Sequence, residues 1–246
     1  MKRIRTAVVV GGALAATLFP AAAAAQVVEL GDQTRPLRVP SCPTTVSPTN
    51  CTIVLTEVTA LETISAGVAY PTTVTKAGEI VAFTLGLSNL SSNRKTAKHD
   101  IHLLDSNYGG VPLAAIVVLK QTGKKKLRKY KVISESPEVH LIPYLGQVAQ
   151  FPLQKPLPVS AGEVIGLSIP TWAPILSINQ PTASYAYRQG RTTGCKNASV
   201  TALAQTPGQS AEYGCNYPGT RVEYAATEVT NPSTTPNYVH AADRGP

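Results

Sequence analysis

The sequence is poor in the groups that catalysis and metal binding usually draw on. It holds 14 carboxylates and four histidines in 246 residues, and charged residues make up only 15%. There is no G-x-S-x-G elbow: Ser168 follows Gly166 at the right offset, but Pro170 stands where the second glycine would be. There is no glycine-rich phosphate loop and no C-x₂-C pair, so the usual nucleotide cradles and zinc clips are excluded. After the first 25 residues no apolar run approaches the roughly 20 residues that a membrane-spanning helix needs. No amphipathic helical period stands out in that part of the chain either. What remains is a chain expected to be all-β and to need no cofactor.

The first 25 residues read as a secretory leader. Met1-Lys2-Arg3-Ile4-Arg5 is a basic head, Ala7 to Phe19 is apolar, and Ala21 to Ala25 supplies a small-residue cleavage site before Gln26. No cysteine follows that site, so a lipid anchor is not expected, and the expected location is extracellular. Removal of these 25 residues from 246 leaves 221, a size that one β-domain can fill. The four cysteines are Cys42, Cys51, Cys195 and Cys215. In an exported chain they are expected as disulfides. Three connectivities are possible, and Cys42–Cys51 with Cys195–Cys215 closes the shortest loops.

The rest of the organisation comes from period-two alternation. Residues 26–50 form an extended arm, 51–230 a single β-domain, and 231–246 a Pro-, Thr- and Asn-rich tail expected to be disordered. Strands are expected at Thr52–Thr59, Glu62–Tyr70, Ile80–Leu87, His99–Leu104 and Leu113–Leu119. Others follow at Lys124–Ile133, Val139–Leu145, Val148–Leu153 and Arg221–Ala226. Leu90 to Lys98 reads as a polar loop, and Asp105 to Gly110 as a turn. The stretch Gln150–Ile178 organises the whole: alternation on both sides of the turn Ser160-Ala161-Gly162-Glu163 predicts two paired strands. Ala161–Ile169 is echoed at Ala77–Leu85, as a duplication or as one glycine turn used twice. The turn reading is preferred, with both glycines at positive φ. Pro181 to Pro218 is a long loop or a pair of short strands.

Three groups of residues are candidates for function. The first is aromatic: Trp172, Tyr185, Tyr187, Tyr213 and Tyr217, with Arg188 beside them, could stack on sugars from a disulfide-fixed loop. The alternative is that they are core. The second is basic. Lys120, Lys124, Lys125, Lys126, Arg128, Lys129 and Lys131 place seven positive charges in twelve residues. The formal charge is +8, three of which belong to the leader, so the remaining chain carries +5 and is acidic outside this cluster. Such a patch attracts polyanions, or it protects a sheet edge. A specific nucleic-acid reader is not expected, because only Tyr130 interleaves with the charges. The third group is Asp100, His102 and His140, which could hold a metal if Asp100 and His102 alternate on a strand. Glu135 and Glu138 are the nearest carboxylate pair and read as a solvated strand end.

At Val159-Ser-Ala-Gly-Glu-Val-Ile-Gly-Leu167 the chain resembles exported bacterial jelly-roll and galactose-binding-like modules. The resemblance covers about twenty residues around a turn whose geometry demands most of them. It implies an antiparallel β-sandwich and a sugar- or surface-binding role. The expected function is therefore non-catalytic binding of polysaccharide or an anionic cell-wall polymer. A metal-dependent extracellular enzyme is the alternative.

Overall fold

Alternating β-branched and apolar residues become strands along most of the chain. The computed structural model describes residues 24–32, 34–45, 51, 53–124, 128–195 and 204–231, so nearly all of the segment read as a leader, and most of the tail, lie outside them. In chain order the elements are β1 (Val27–Leu30), β2 (Leu55–Ser65), β3 (Val68–Ala69), β4 (Gly78–Gly86) and a helix, α1 (Arg94–Asn107). Then come β5 (Leu113–Thr122), β6 (Lys129–Glu135), β7 (Val139–His140), β8 (Val148–Val159), β9 (Val164–Ala173) and β10 (Leu176–Ser177). The last are β11 (Ala186–Gln189), β12 (Ser210–Glu212), β13 (Cys215–Pro218), β14 (Arg221–Val222) and β15 (Tyr224–Thr230). Every pairing is antiparallel. Both expected disulfides are formed, Cys42–Cys51 and Cys195–Cys215.

Two sheets face each other. The smaller runs β1-β15-β4-β8 and the larger β12-β6-β5-β9-β2-β11-β13, with β3 beside β2 and β7 beside β5. The core between them takes alternate residues from each layer. Val58, Ala60, Ile116, Val118, Ile165 and Leu167 come from the larger sheet, and Ile80, Phe83, Leu85, Phe151 and Tyr224 from the smaller. This is the all-β antiparallel sandwich that the alternation predicts.

The other face of the larger sheet is also covered. Leu61, Val117, Leu119, Tyr130, Val132, Val164 and Tyr213 make a second apolar cluster there. The cause is closure of the sheet. β12 pairs with β6 at one edge and β13 with β11 at the other, and only Tyr213 and Gly214 separate β12 from β13. Three Cα steps of about 3.8 Å span at most about 11 Å. The sheet must therefore curl until its edges meet, with the Tyr213 ring inside the curl. This is why β5 is apolar throughout: Ala114 to Leu119 are all fully buried, even positions against the sandwich core and Val117 and Leu119 inside the curl.

The ladder between β2 and β9 ends at Ala60 and Leu167. Beyond it a side chain from the other sheet takes over. The Glu62 amide donates to the Tyr224 hydroxyl (3.2 Å), and that hydroxyl donates to the Ile165 carbonyl (3.0 Å). Tyr224 thus satisfies two backbone groups that would otherwise be buried without partners.

Several expectations are corrected. Residues expected as a loop and a strand, Leu90 to Leu104, instead carry α1. Asn93 caps it, its side-chain oxygen accepting from the amides of Lys95 and Thr96 (2.9 and 3.1 Å). Ala97, Ile101, Leu104 and Tyr108, spaced by four, three and four residues, form the half-buried side of the helical segment. Asp105 to Asn107, expected as a turn, is its last turn. The strands on either side of Gly162 do not pair with each other. β8 pairs with β4 in the smaller sheet, while β9 lies between β5 and β2 in the larger. The turn changes layer, and buried alternation looks the same in either arrangement. The echoed turns also differ: Gly162 has φ 88°, but Gly78 is not in the left-handed region. Gly78 is needed for close approach, because a Cβ there would collide with the Val229 carbonyl. The arm is not wholly irregular either, since Val27–Leu30 pairs with β15.

Candidate functional site

The aromatic group is brought together, but largely inside the protein. Trp172 and Tyr213 are fully buried, and Tyr185 and Tyr187 are 3% exposed. The Trp172 indole N–H lies 3.0 Å from both Asp105 Oδ1 and the Gly110 carbonyl, so it ties the end of α1 to β9. Tyr187 stacks on Tyr217, with ring centroids 4.7 Å apart. Only Tyr217 of these five is half-buried rather than buried. Its hydroxyl is 2.7 Å from the Cys195 carbonyl and accepts from Arg191 Nη2 (3.2 Å). A sugar ring needs an open aromatic face, and Trp172, Tyr185, Tyr187 and Tyr213 are all buried, Tyr187 in the sandwich core and Tyr213 in the second apolar cluster. These four are corrected from ligand contacts to packing. Burial pushes Tyr187 and Tyr213 above the ordinary tyrosine range, so their phenols stay neutral.

The metal candidates are not assembled. Asp100 and His102 lie on α1, where a spacing of two turns side chains about 200° apart instead of to one side. His140 is exposed on β7, paired with Leu113 of β5. Among the described residues no group of three or more His, Cys, Asp or Glu side chains could hold a metal ion. Glu135 does end β6 as expected, but it is half-buried, and burial raises its carboxyl above the usual range.

A buried charge network is present that the sequence reading did not single out. Arg221 is 1% exposed and holds the arm: Nη1 donates to the Pro36 carbonyl (3.1 Å) and Nη2 to the Arg35 carbonyl (2.9 Å). Glu223, fully buried, lies 3.5 Å from Arg221 Nη1 and 3.4 Å from Arg38 Nε. Glu62 is fully buried nearby, and among the described residues no ion pair engages its carboxylate. Burial pushes its carboxyl well above the normal range, against the opposing pull of Arg221. The sequence signal was the pair Arg221 and Glu223 flanking buried Val222, charged side chains on one face of a strand. The network fastens the arm over the sandwich. A cavity of about 230 Å³ opens beside it, lined in part by Arg38, Ser41, Ser177 and Gln180, but Arg38 is already engaged with Glu223 and Ser177.

The basic group occupies the hairpin between β5 and β6. Lys120, Lys124, Arg128, Lys129 and Lys131 are all exposed, while Lys125 and Lys126 lie outside the described residues. Lys120 stands directly opposite Lys131 across the ladder. Like charges in that position destabilise a sheet. Among the described residues no ion pair engages any of the five. β6 is not an edge strand, because β12 pairs along its outer side at Lys129 to Lys131. Arg188, half-buried on β11, approaches the base of the hairpin from within the curl. Burial and then the Arg128 charge hold its guanidinium below the ordinary arginine range.

In comparisons with known proteins the chain matches no family model, no curated protein and no solved structure. No described helix is long and apolar enough to cross a membrane.

Proposed function

We propose that this chain is an exported, non-catalytic β-sandwich protein that binds an anionic cell-envelope polymer through the β5–β6 hairpin. The observation that carries the reading is the placement of the lysines. Lysine on an exposed sheet edge discourages unwanted strand pairing, but Lys129 and Lys131 lie on the part of β6 that β12 covers, where there is no open edge to protect. Setting Lys120 against Lys131, with no ion-pair partner for either among the described residues, costs stability. A polyanion would reverse the sign of that cost. The leader-like start of the sequence and its resemblance to exported sandwich modules support the cellular setting. The burial of Trp172, Tyr185, Tyr187 and Tyr213 speaks against recognition of neutral sugars by that cluster, so charge is the basis of recognition.

The test compares binding of the full chain to polyphosphate, polygalacturonate and a neutral glucan. Lys120→Glu combined with Lys124→Glu is expected to weaken binding to both polyanions by about tenfold or more at low salt, with the melting temperature not lowered. Both positions are exposed, so folding should not be affected. Equal binding by the variant, or preference for the neutral glucan, would sink the reading.

A further inference from the structure

Arg38 borders the cavity of about 230 Å³ that opens beside the arm. Its contacts within the protein are made at one edge of the guanidinium. Nε donates to Ser177 Oγ (3.3 Å) and to Glu223 Oε1 (3.4 Å), while the Arg38 amide donates to Glu223 Oε2 (3.2 Å). Nη1 and Nη2 have no acceptor among the described residues. The side chain is 48% exposed, and the buried Glu223 that steadies it is shared with Arg221. The guanidinium is thus fixed at Nε and keeps both Nη groups without partners.

Ser177, which also lines the cavity, supplies a second unused group. It is 3% exposed and its oxygen accepts from Arg38, but its own proton has no acceptor among the described residues. A buried hydroxyl ordinarily finds one. Gln180 is held in place too: Nε2 donates to the Ile178 carbonyl (2.8 Å), and Oε1 is left as an acceptor. Val39, Pro43 and Ile178 add apolar surface to the lining.

Two Nη groups side by side match the two oxygens of a carboxylate, the pairing that a guanidinium fork is shaped for. The Ser177 hydroxyl and the Gln180 oxygen suit hydroxyl groups, which both accept and donate. A hexuronate carries a carboxylate, hydroxyls and apolar C–H faces on one ring. The cavity is smaller than the roughly 300 Å³ at which drug-sized sites begin, so it takes one such unit and not a run of them.

We propose that this cavity binds the terminal hexuronate unit of an acidic polysaccharide. The site shares no residue with the lysine hairpin. Only the choice of a polymer as the source of the hexuronate rests on the anionic-polymer reading above.

The test follows the Gln180 side-chain amide of the full chain by NMR as galacturonate or galactose is added. Galacturonate should shift that signal with a Kd of about 1 mM, the strength of one fork with few further contacts. Galactose, which lacks the carboxylate, should leave it in place. Arg38→Gln is expected to weaken galacturonate binding about tenfold or more, with its melting temperature checked because Arg38 also holds Glu223. Ser41→Trp fills the cavity from an exposed position without touching that clamp, and should abolish the shift. Digalacturonate should bind at least as tightly as galacturonate, and weaker binding would overturn a polymer end as the source. Equal binding of galactose, or a shift that survives Ser41→Trp, would refute the site. If galacturonate leaves the signal unmoved while polygalacturonate still binds the chain, the cavity site falls and the hairpin reading stands. If neither binds, both fall.

Discussion

Glu62 sits fully buried between the layers, with Arg221 and Glu223 as the charged groups acting on it. Its carboxyl is held well above the normal range by burial. In the unfolded chain it ionises near the usual glutamate value of about 4.3. Below that pH both states are protonated, and the residue costs the fold nothing electrostatically. As pH rises, the unfolded state loses its proton first, so stability falls until the raised folded value is passed. Glu62→Gln removes that slope. We expect the variant to match the original protein near pH 4 and to be more stable at pH 7, by about 1–3 kcal/mol. Denaturant melts at the two pH values measure this. A less stable variant at pH 7 would mean that Glu62 is ionised and paired. Arg221 is the converse case: its charge is paired with Glu223 and its two Nη groups donate to arm carbonyls, and removing one member of such a set typically costs about 3–5 kcal/mol.

Helix α1 is the element most dependent on local signals. It has no fully buried residue, and no acidic side chain in its first turn offsets Arg94 and Lys95 at the positive end of its dipole. Asn93 and the Trp172–Asp105 contact are therefore central to holding it. Asn93→Ala is expected to cost about 1 kcal/mol locally and to speed amide exchange in the first turn about fivefold, with global stability nearly unchanged. Exchange rates unaffected by the substitution would show that packing alone sets the helix. The same element marks where sequence reasoning stopped. Ser91-Ser92-Asn93 before Ala97, Ile101 and Leu104 was a legible start signal, but His99 to Leu104 also fits a short strand. Strands β4, β5 and β9 were legible because their alternation is strong, whereas the expected strand Arg221–Ala226 divides at Glu223 into β14 and the start of β15. Their sheet assignment was not, because the turn at Gly162 carries β8 and β9 into different layers and a buried face reads identically in either. The aromatic residues were legible as a cluster. Their burial was not, because it depends on the closure at Tyr213-Gly214, a contact between sheet edges that lie far apart in the larger sheet.

At the scale of the molecule, charge is segregated. Seven of the basic residues fall between Lys120 and Lys131, and the remainder of the chain from Gln26 onward is net acidic. The disulfides, the arm clamp and the curled sheet stiffen the scaffold that presents the hairpin, so little ordering is needed on binding. A diffuse attraction of this kind is screened over a Debye length of about 8 Å at physiological ionic strength. The central claim is therefore tested most directly by the affinity of the full chain for polyphosphate as salt is raised from about 50 mM to about 500 mM, bracketing the physiological Debye length. The account predicts a steep linear fall of log affinity with log salt, and no measurable binding to a neutral glucan. Affinity that does not change with salt would contradict it.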